Sequence, residues 1–392
     1  MSRAALVIPG LDRIGGAERQ VILLAKGLRR RGWRVSVVAL SGAGGDAAAD
    51  LTASGILFVS LGMRKGLADP RGWMRFNRWL RRESPDVVHA HLSHAAWLVR
   101  WSRLAAPLRV AIDTVHSCAT GTLGRKLGYR ASDWLADRVT AVSHAAAVAH
   151  RSAAMVGESK LTVLPNGVDT NAWRPNAQVR QAARRELGLH QEFLWFAAGR
   201  LEPVKDYPAL LRAMAKVPEP AKLMIAGAGP LQSELCRLTA QLGLERRVRF
   251  LGFEPDIGNW MQAADGFVLS SRWEGLPMGL LEAAACALPA VATDVPGTSE
   301  VVIDGQTGWL TPVSDSTALG ESMAKMMQIP PEERSAMGVR ARQHAIERFS
   351  LEAVLDRWEG LYRKLIERNP VPVRWAHADR PGAGLGSNLL SR

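Results

Sequence analysis

Residues 4–40 read AALVIPGLDRIGGAERQVILLAKGLRRRGWRVSVVAL. A short continuous apolar run (4–9) breaks at a Pro-Gly turn. A loop carrying Gly15, Gly16 and Glu18 then enters a helix, and a second apolar run (35–40) follows. Apolar runs of this length without alternation read as parallel strands buried on both faces, so the segment is a βαβ unit. Glycines between strand and helix allow close backbone approach, and helix N-terminal amides favour phosphate. The glycine spacing is not that of the dinucleotide fingerprint, and no acidic ribose partner stands at the expected distance. A plain tight turn accounts for these glycines equally well.

Outward from this unit, strand-like runs alternate with amphipathic helices along the chain. In the first half the runs are 4–9, 35–40, 56–60, 86–90, 110–114 and 161–164. The series restarts with 193–198, 222–226, 248–251, 266–269 and 289–293. The expected fold class is therefore α/β: two Rossmann-like doubly wound domains facing across a cleft. The first spans 1–172 and the second 190–350, joined through the turn-rich, proline-bearing stretch 171–189. A strong helix near 351–368 is expected to pack back on the first domain, and 369–392, rich in Pro, Gly and Ser, reads as a flexible tail. In such sheets ligands bind beyond the carboxyl ends of the strands, so functional residues should follow strands.

The size, 392 residues, suits two domains, and 47% hydrophobic with 22% charged residues is ordinary globular composition. No run of about 18 apolar residues spans a membrane, and the start does not resemble a secretory signal, so a cytoplasmic location is expected. Cys118, Cys236 and Cys286 match no metal or disulfide spacing and read as reduced thiols. The net charge of +13 is uneven: residues 1–190 hold 28 Lys and Arg against 13 Asp and Glu, while 191–392 hold 22 against 24. An anionic lipid surface, an acidic acceptor or nucleic acid could each face the basic half.

Three further loops carry candidate chemistry. His116 sits just past a strand in IDTVHSCATGTLG. In FAAGRLEPVKDYPAL, Gly199 ends a strand, and Arg200 and Lys205 could clamp a diphosphate and neutralise a departing nucleotide. In SSRWEGLPMGLLEAAACALPAVAT, Glu274 and Glu282 stand eight apart around the turn Gly275-Leu276-Pro277. Pro277 suits a helix start. The amides from there to Leu280 could hold phosphate, and Glu282 in its apolar surroundings would be enclosed and suit ribose hydroxyls. The plainer readings are a structural histidine, a solvated cation pair and surface glutamates.

The motifs GGAER, NGVD, GRLEPVKDYP, AGAGP, FLGF and the spaced glutamates occur in the order found in retaining glycosyltransferase family 4, of GT-B fold, which this sequence resembles over about residues 1–368. The resemblance implies a nucleotide-diphosphate sugar as substrate, with no separate cofactor; no Asp-x-Asp motif stands in a suitable loop, so no metal is expected. It implies Arg200 and Lys205 as the diphosphate pair, Glu282 as ribose ligand, Glu274 on the transferred sugar, and His116 touching that sugar. Gly15, Gly16, Gly199, Gly227, Gly275, Leu276, Pro277 and Met278 would line the donor, and Phe253 would lie where main chain brackets the base. Glu18 and Arg19 would face the acceptor, and by their place at and after the fourth apolar run His89, His91 and His94 are expected to line its cleft. Glu300 stands where family members often carry an acidic residue, although VPGTSE lacks one of the usual glycines.

The resemblance implies front-face attack, in which the leaving diphosphate helps accept the acceptor's proton, with domain closure completing the site. The expected role is transfer from a UDP-sugar to a glycan or lipid-linked saccharide in bacterial surface polysaccharide assembly. Residues 69–84, DPRGWMRFNRWLRRES, and the arginines at 29–31 suggest peripheral docking on the inner face of the plasma membrane. The plainer reading packs Trp73, Phe76 and Leu80 on the sheet. Alternatives are a sugar-nucleotide epimerase-type GT-B enzyme and a nonenzymatic basic nucleic-acid-binding module. The latter lacks a recognition motif, so no nucleic-acid partner is expected.

Overall fold

The computed structural model describes residues 1–64, 69–254 and 256–370; the stretch 371–392, most of the expected tail, lies outside the described residues. Two parallel sheets form. The first contains β1 (Arg3–Ile8), β2 (Arg34–Ala39), β3 (Leu57–Ser60), β4 (Val87–His91), β5 (Val110–Val115), β6 (Arg138–Ala141) and β7 (Leu161–Val163), in the order β3-β2-β1-β4-β5-β6-β7. The second contains β8 (Phe193–Ala198), β9 (Ala221–Ala226), β10 (Val248–Gly252), β11 (Gly266–Leu269), β12 (Ala290–Thr293) and β13 (Gly308–Thr311), in the order β10-β9-β8-β11-β12-β13. β6 and β13 are additions to the strands expected from sequence. Neither holds a continuous apolar run: β6 reads RVTA and β13 reads GWLT.

Helices cover both faces of each sheet, which is why β1 and β8 are almost wholly apolar. One face of the first sheet carries the helices Pro70–Glu83, Ser93–Ser102 and Leu123–Ser132, through Phe76, Leu80, Leu98, Val99 and Tyr129. The other carries Gly16–Arg30 together with Leu351–Arg368, the last helix of the described chain. That helix buries Leu351, Val354, Leu355, Trp358, Tyr362 and Leu365, a stripe at three- and four-residue spacing. It lies so close to its neighbour that a Cβ on Gly27 would fall 2.4 Å from Leu355 Cδ1.

The chain crosses between the sheets twice, side by side. Val168 N donates to the Phe349 carbonyl and Leu351 N to the Val168 carbonyl, both at 2.8 Å. In both sheets the strand order reverses beside the first strand, between β1 and β4 and between β8 and β11. Those two switch points open the crevices in which the candidate residues collect.

Candidate active site

The second sheet supplies most of the polar groups. β8 is followed by Gly199, whose carbonyl accepts the Tyr207 hydroxyl at 3.0 Å. A Cβ on Gly227, which follows β9, would meet that carbonyl oxygen at 1.9 Å, so the two strand exits touch backbone to backbone. Lys205 turns into the crevice and pairs with Glu274 at 2.5 Å, and Ser271 Oγ donates to the same carboxylate oxygen at 2.6 Å. Arg200 does not join Lys205. Its side chain is 67% exposed and pairs with Glu202 at 2.9 Å. The expected cation pair is thus split in this arrangement, because each cation has a nearer carboxylate.

After β11 the turn Gly275-Leu276-Pro277 leads into the helix Met278–Ala285, with Pro277 at its N-cap. Leu276, Pro277 and Met278 are buried. Glu282 lies one turn into this helix and is 1% exposed. Burial raises its pKa, and the nearby Arg19 guanidinium opposes that rise. Phe253, following β10, turns its ring to solvent at 69% exposure, so only its main chain is available to a base.

The first sheet closes over these groups. A Cβ on Gly275 would fall 2.1 Å from the His116 carbonyl oxygen. Cys118 Sγ donates to the Glu274 carbonyl at 3.1 Å, and burial pushes the thiol up to about 11. Gly16 approaches Met278. Arg19 reaches across to Glu282 at 2.5 Å. Arg19 was expected on the acceptor side; the structure sets it against the proposed ribose carboxylate. Glu18, also expected there, turns back and accepts the Gly15 amide at 3.0 Å, capping its own helix. That bond also occupies the Gly15 amide expected to meet the donor.

The histidines form a buried chain. His116 Nε2 lies 3.0 Å from His91 Nδ1, and the His91 ring packs on His89 with centroids 4.0 Å apart. His89 is completely buried, with Nδ1 2.6 Å from the Tyr362 hydroxyl and Nε2 2.5 Å from Thr114 Oγ1. It therefore cannot reach an acceptor as expected: both ring nitrogens are taken, and Trp358 and Tyr362 of the last helix pack against the ring. His91 is buried too, and its Nε2 has no protein partner beside a cavity that His91 lines with Gln20, His116 and Asn166. Burial lowers His116 to about 4 and holds His89 and His91 well below the ordinary value. All three imidazoles are neutral at pH 7.

Sequence reasoning gave no role to Gln20 or to the side chain of Asn166, which join the two halves. Asn166 donates to the Leu276 carbonyl at 3.1 Å, and Gln20, held by both backbone groups of Gly167, donates across to Met278 Sδ at 3.0 Å. Glu300 accepts the His144 and Ala145 amides at 3.1 Å each, placing its carboxylate at the N-terminus of the helix His144–Ser152. The Asn-Gly of NGVD marked a turn, but only the fold reveals its partner. The arginines at 29–31 are also reassigned in part: Arg31 pairs with Glu352, Asp356 and Glu359 of the last helix, so it faces protein rather than a membrane.

The family model described as Glycosyltransferase Family 4 matches residues 14–172, and that described as Glycosyl transferases group 1 matches residues 179–344. The D-inositol 3-phosphate glycosyltransferase of Mycolicibacterium paratuberculosis is 29% identical over 395 residues, covering 92% of this chain and 88% of that protein. The Escherichia coli UDP-Gal:alpha-D-GlcNAc-diphosphoundecaprenol alpha-1,3-galactosyltransferase is 25% identical over 316 residues, covering 76% of this chain and 81% of that protein. Among solved structures, Anabaena HepE in complex with UDP-glucose superposes with a TM-score of 0.81 at 23% identity, covering 92% of this chain and 99% of that one. Sucrose-phosphate synthase from Thermosynechococcus elongatus gives 0.81 at 22%, covering 94% and 100%.

Proposed function

This chain belongs to glycosyltransferase family 4 and is a GT-B glycosyltransferase that uses a nucleotide-sugar donor; from that premise we propose that it transfers a hexosyl group from a UDP-sugar, with retention, to a glycan or lipid-linked saccharide in bacterial surface polysaccharide assembly. The observation that carries the donor assignment is Glu282, a carboxylate 1% exposed in the crevice between the sheets. A buried acceptor of that kind suits vicinal hydroxyls. Uridine is favoured by the Escherichia coli relative, which is named for UDP-Gal and a diphosphoundecaprenol-linked acceptor.

In the proposed reaction the donor diphosphate lies at the N-terminus of Met278–Ala285, within reach of Lys205 and of Arg200 once Arg200 leaves Glu202. The acceptor hydroxyl attacks the anomeric carbon on the face the diphosphate leaves. The C–O bond to phosphate breaks as the new glycosidic bond forms, and the hydroxyl proton passes to a phosphate oxygen. Glu274, held by Lys205 and Ser271, binds sugar hydroxyls. Neutral His116 offers a hydrogen bond rather than a proton. Charge on the leaving group is met by cations and helix amides, so chelators should leave the rate unchanged.

The test is a panel of UDP-, GDP- and ADP-sugars, read by thermal shift and slow donor hydrolysis with and without EDTA. UDP-sugars alone should stabilise the wild type, and Glu282→Ala should lose that response. Stabilisation by another nucleotide would overturn the uridine assignment, and a rate abolished by EDTA would overturn metal independence.

A further inference from the structure

Among the described residues Glu282 has one side-chain partner, Arg19, and that partner comes from the other half of the molecule. Arg19 lies in the first turn of the helix Gly16–Arg30, which Gln20 and Gly16 hold against Met278. A buried carboxylate without a counter-charge is strongly disfavoured, so something must balance the charge of Glu282. Arg19 does so, yet its side chain remains 34% exposed, at the mouth of the crevice rather than sealed within it. Lys205 stands in the same relation to Glu274. Among the described residues each of these two carboxylates is matched by one cation, and the first domain provides one of the two.

This pairing has a consequence when a nucleotide diphosphate enters. Ribose hydroxyls donate to Glu282 and compete with Arg19 for its oxygens. They bring no positive charge, while the diphosphate brings negative charge to the adjoining helix N-terminus. Resting on the assignment of this crevice to the donor, we propose that Arg19 is a donor-binding residue whose guanidinium passes from Glu282 to the diphosphate. It supplies a third cation beside Arg200 and Lys205, from the opposite domain. The guanidinium fork suits a phosphate pair, and its location on the first domain ties diphosphate binding to closure.

The experiment compares binding of UDP and of uridine, which lacks phosphate, to the wild type, Arg19→Lys, Arg19→Ala, Glu282→Gln and the double variant Arg19→Ala/Glu282→Gln. Calorimetry gives affinities, and thermal denaturation checks the fold. The double variant removes the buried charge, so it stays informative if Arg19→Ala alone fails to fold. Arg19→Ala is expected to weaken UDP by about tenfold to a hundredfold with little change for uridine, Arg19→Lys to recover part of the loss, and the double variant to show the same selective loss relative to Glu282→Gln. Equal loss of UDP and uridine, or no loss, would overturn the proposal by making Arg19 a counter-charge only. Binding of neither UDP nor uridine by the folded wild type would instead sink the uridine-donor assignment beneath it.

Discussion

His116 sits deep enough that burial lowers it to about 4, and His89, His91 and His150 shift in the same direction. In the unfolded chain these groups take up protons near pH 6.5, while in the folded protein they do so only at lower pH, and His89, His91 and His116 only at much lower pH. Stability is therefore lost as pH falls from about 6.5 toward 4, at up to about 1.4 kcal/mol per pH unit for each histidine, and levels off once the folded groups protonate. Glu282, raised by burial, works in the opposite sense near the carboxylate range. The expected outcome is a urea midpoint lower at pH 5 than at pH 7, with a flatter slope in His116→Gln. A His116 ring resonance titrating near pH 6.5 would contradict it. A pH–rate profile without an inflection from His116 between pH 5.5 and 7.5 is expected for the same reason.

Loops at strand ends, rather than the strands themselves, determine whether the two halves can meet. Gly275 is pressed between the His116 carbonyl and Gly297, where an added Cβ would fall 2.2 Å from the Gly275 carbonyl oxygen. Both obstacles are backbone, which cannot swing aside as a side chain would. Gly275→Ala should hold the crevice open. It is expected to keep a thermal shift with UDP, which the second domain chiefly binds, while losing about a hundredfold in kcat, the effect of misplacing reacting groups by about 1 Å. An unchanged kcat would mean that the catalytic form is more open than this one. The glycine itself was legible in sequence as a turn before Pro277, and the strand–loop–helix rhythm set His116, Gly199, Gly227 and Phe253 just past strand ends. What sequence could not supply was the facing element. Glu18 and Arg19 are adjacent in GGAER, yet one caps its own helix and the other crosses to Glu282. His89 and His91 share a strand, yet Tyr362 of the last helix, more than 270 residues away, seals the first. Such partners depend on the packing of distant elements, which periodicity does not encode.

At the scale of the whole molecule, the excess positive charge of residues 1–190 has to be divided between internal pairs and free surface. Arg31 and Arg100 are spent inside, the latter on completely buried Asp113. The helix Pro70–Glu83, expected to dock on lipid, turns Phe76 and Leu80 to the sheet and half-buries Trp73 and Trp79, leaving chiefly arginines and Met74 outside. The exposed apolar stripe lies instead on Leu123–Ser132 and just beyond it: Leu123 at 71%, Leu127 at 58% and Trp134 at 64%, with Arg125, Lys126 and Arg130 alongside. That helix follows the His116 loop directly, so an anionic bilayer touching it would bring lipid-linked saccharide to the mouth of the crevice. Among the described residues no helix is long and apolar enough to cross a membrane, so any attachment through this face would be peripheral. Apolar contact and charge should then contribute separately. Sedimentation with vesicles of phosphatidylglycerol and phosphatidylcholine should carry the wild type down at low salt and lose it with phosphatidylcholine alone. Leu123→Glu/Leu127→Glu should weaken binding about tenfold or more, since it removes two exposed apolar side chains that would enter the bilayer and adds two charges of the lipid's own sign. Arg75→Glu/Arg78→Glu should weaken binding less, and mainly at low salt, because those arginines contribute only to the surrounding field. Equal effects of the two pairs would return the docking face to Pro70–Glu83, and no sedimentation of the wild type would remove the membrane from the proposed function, leaving the acceptor to be sought among soluble saccharides.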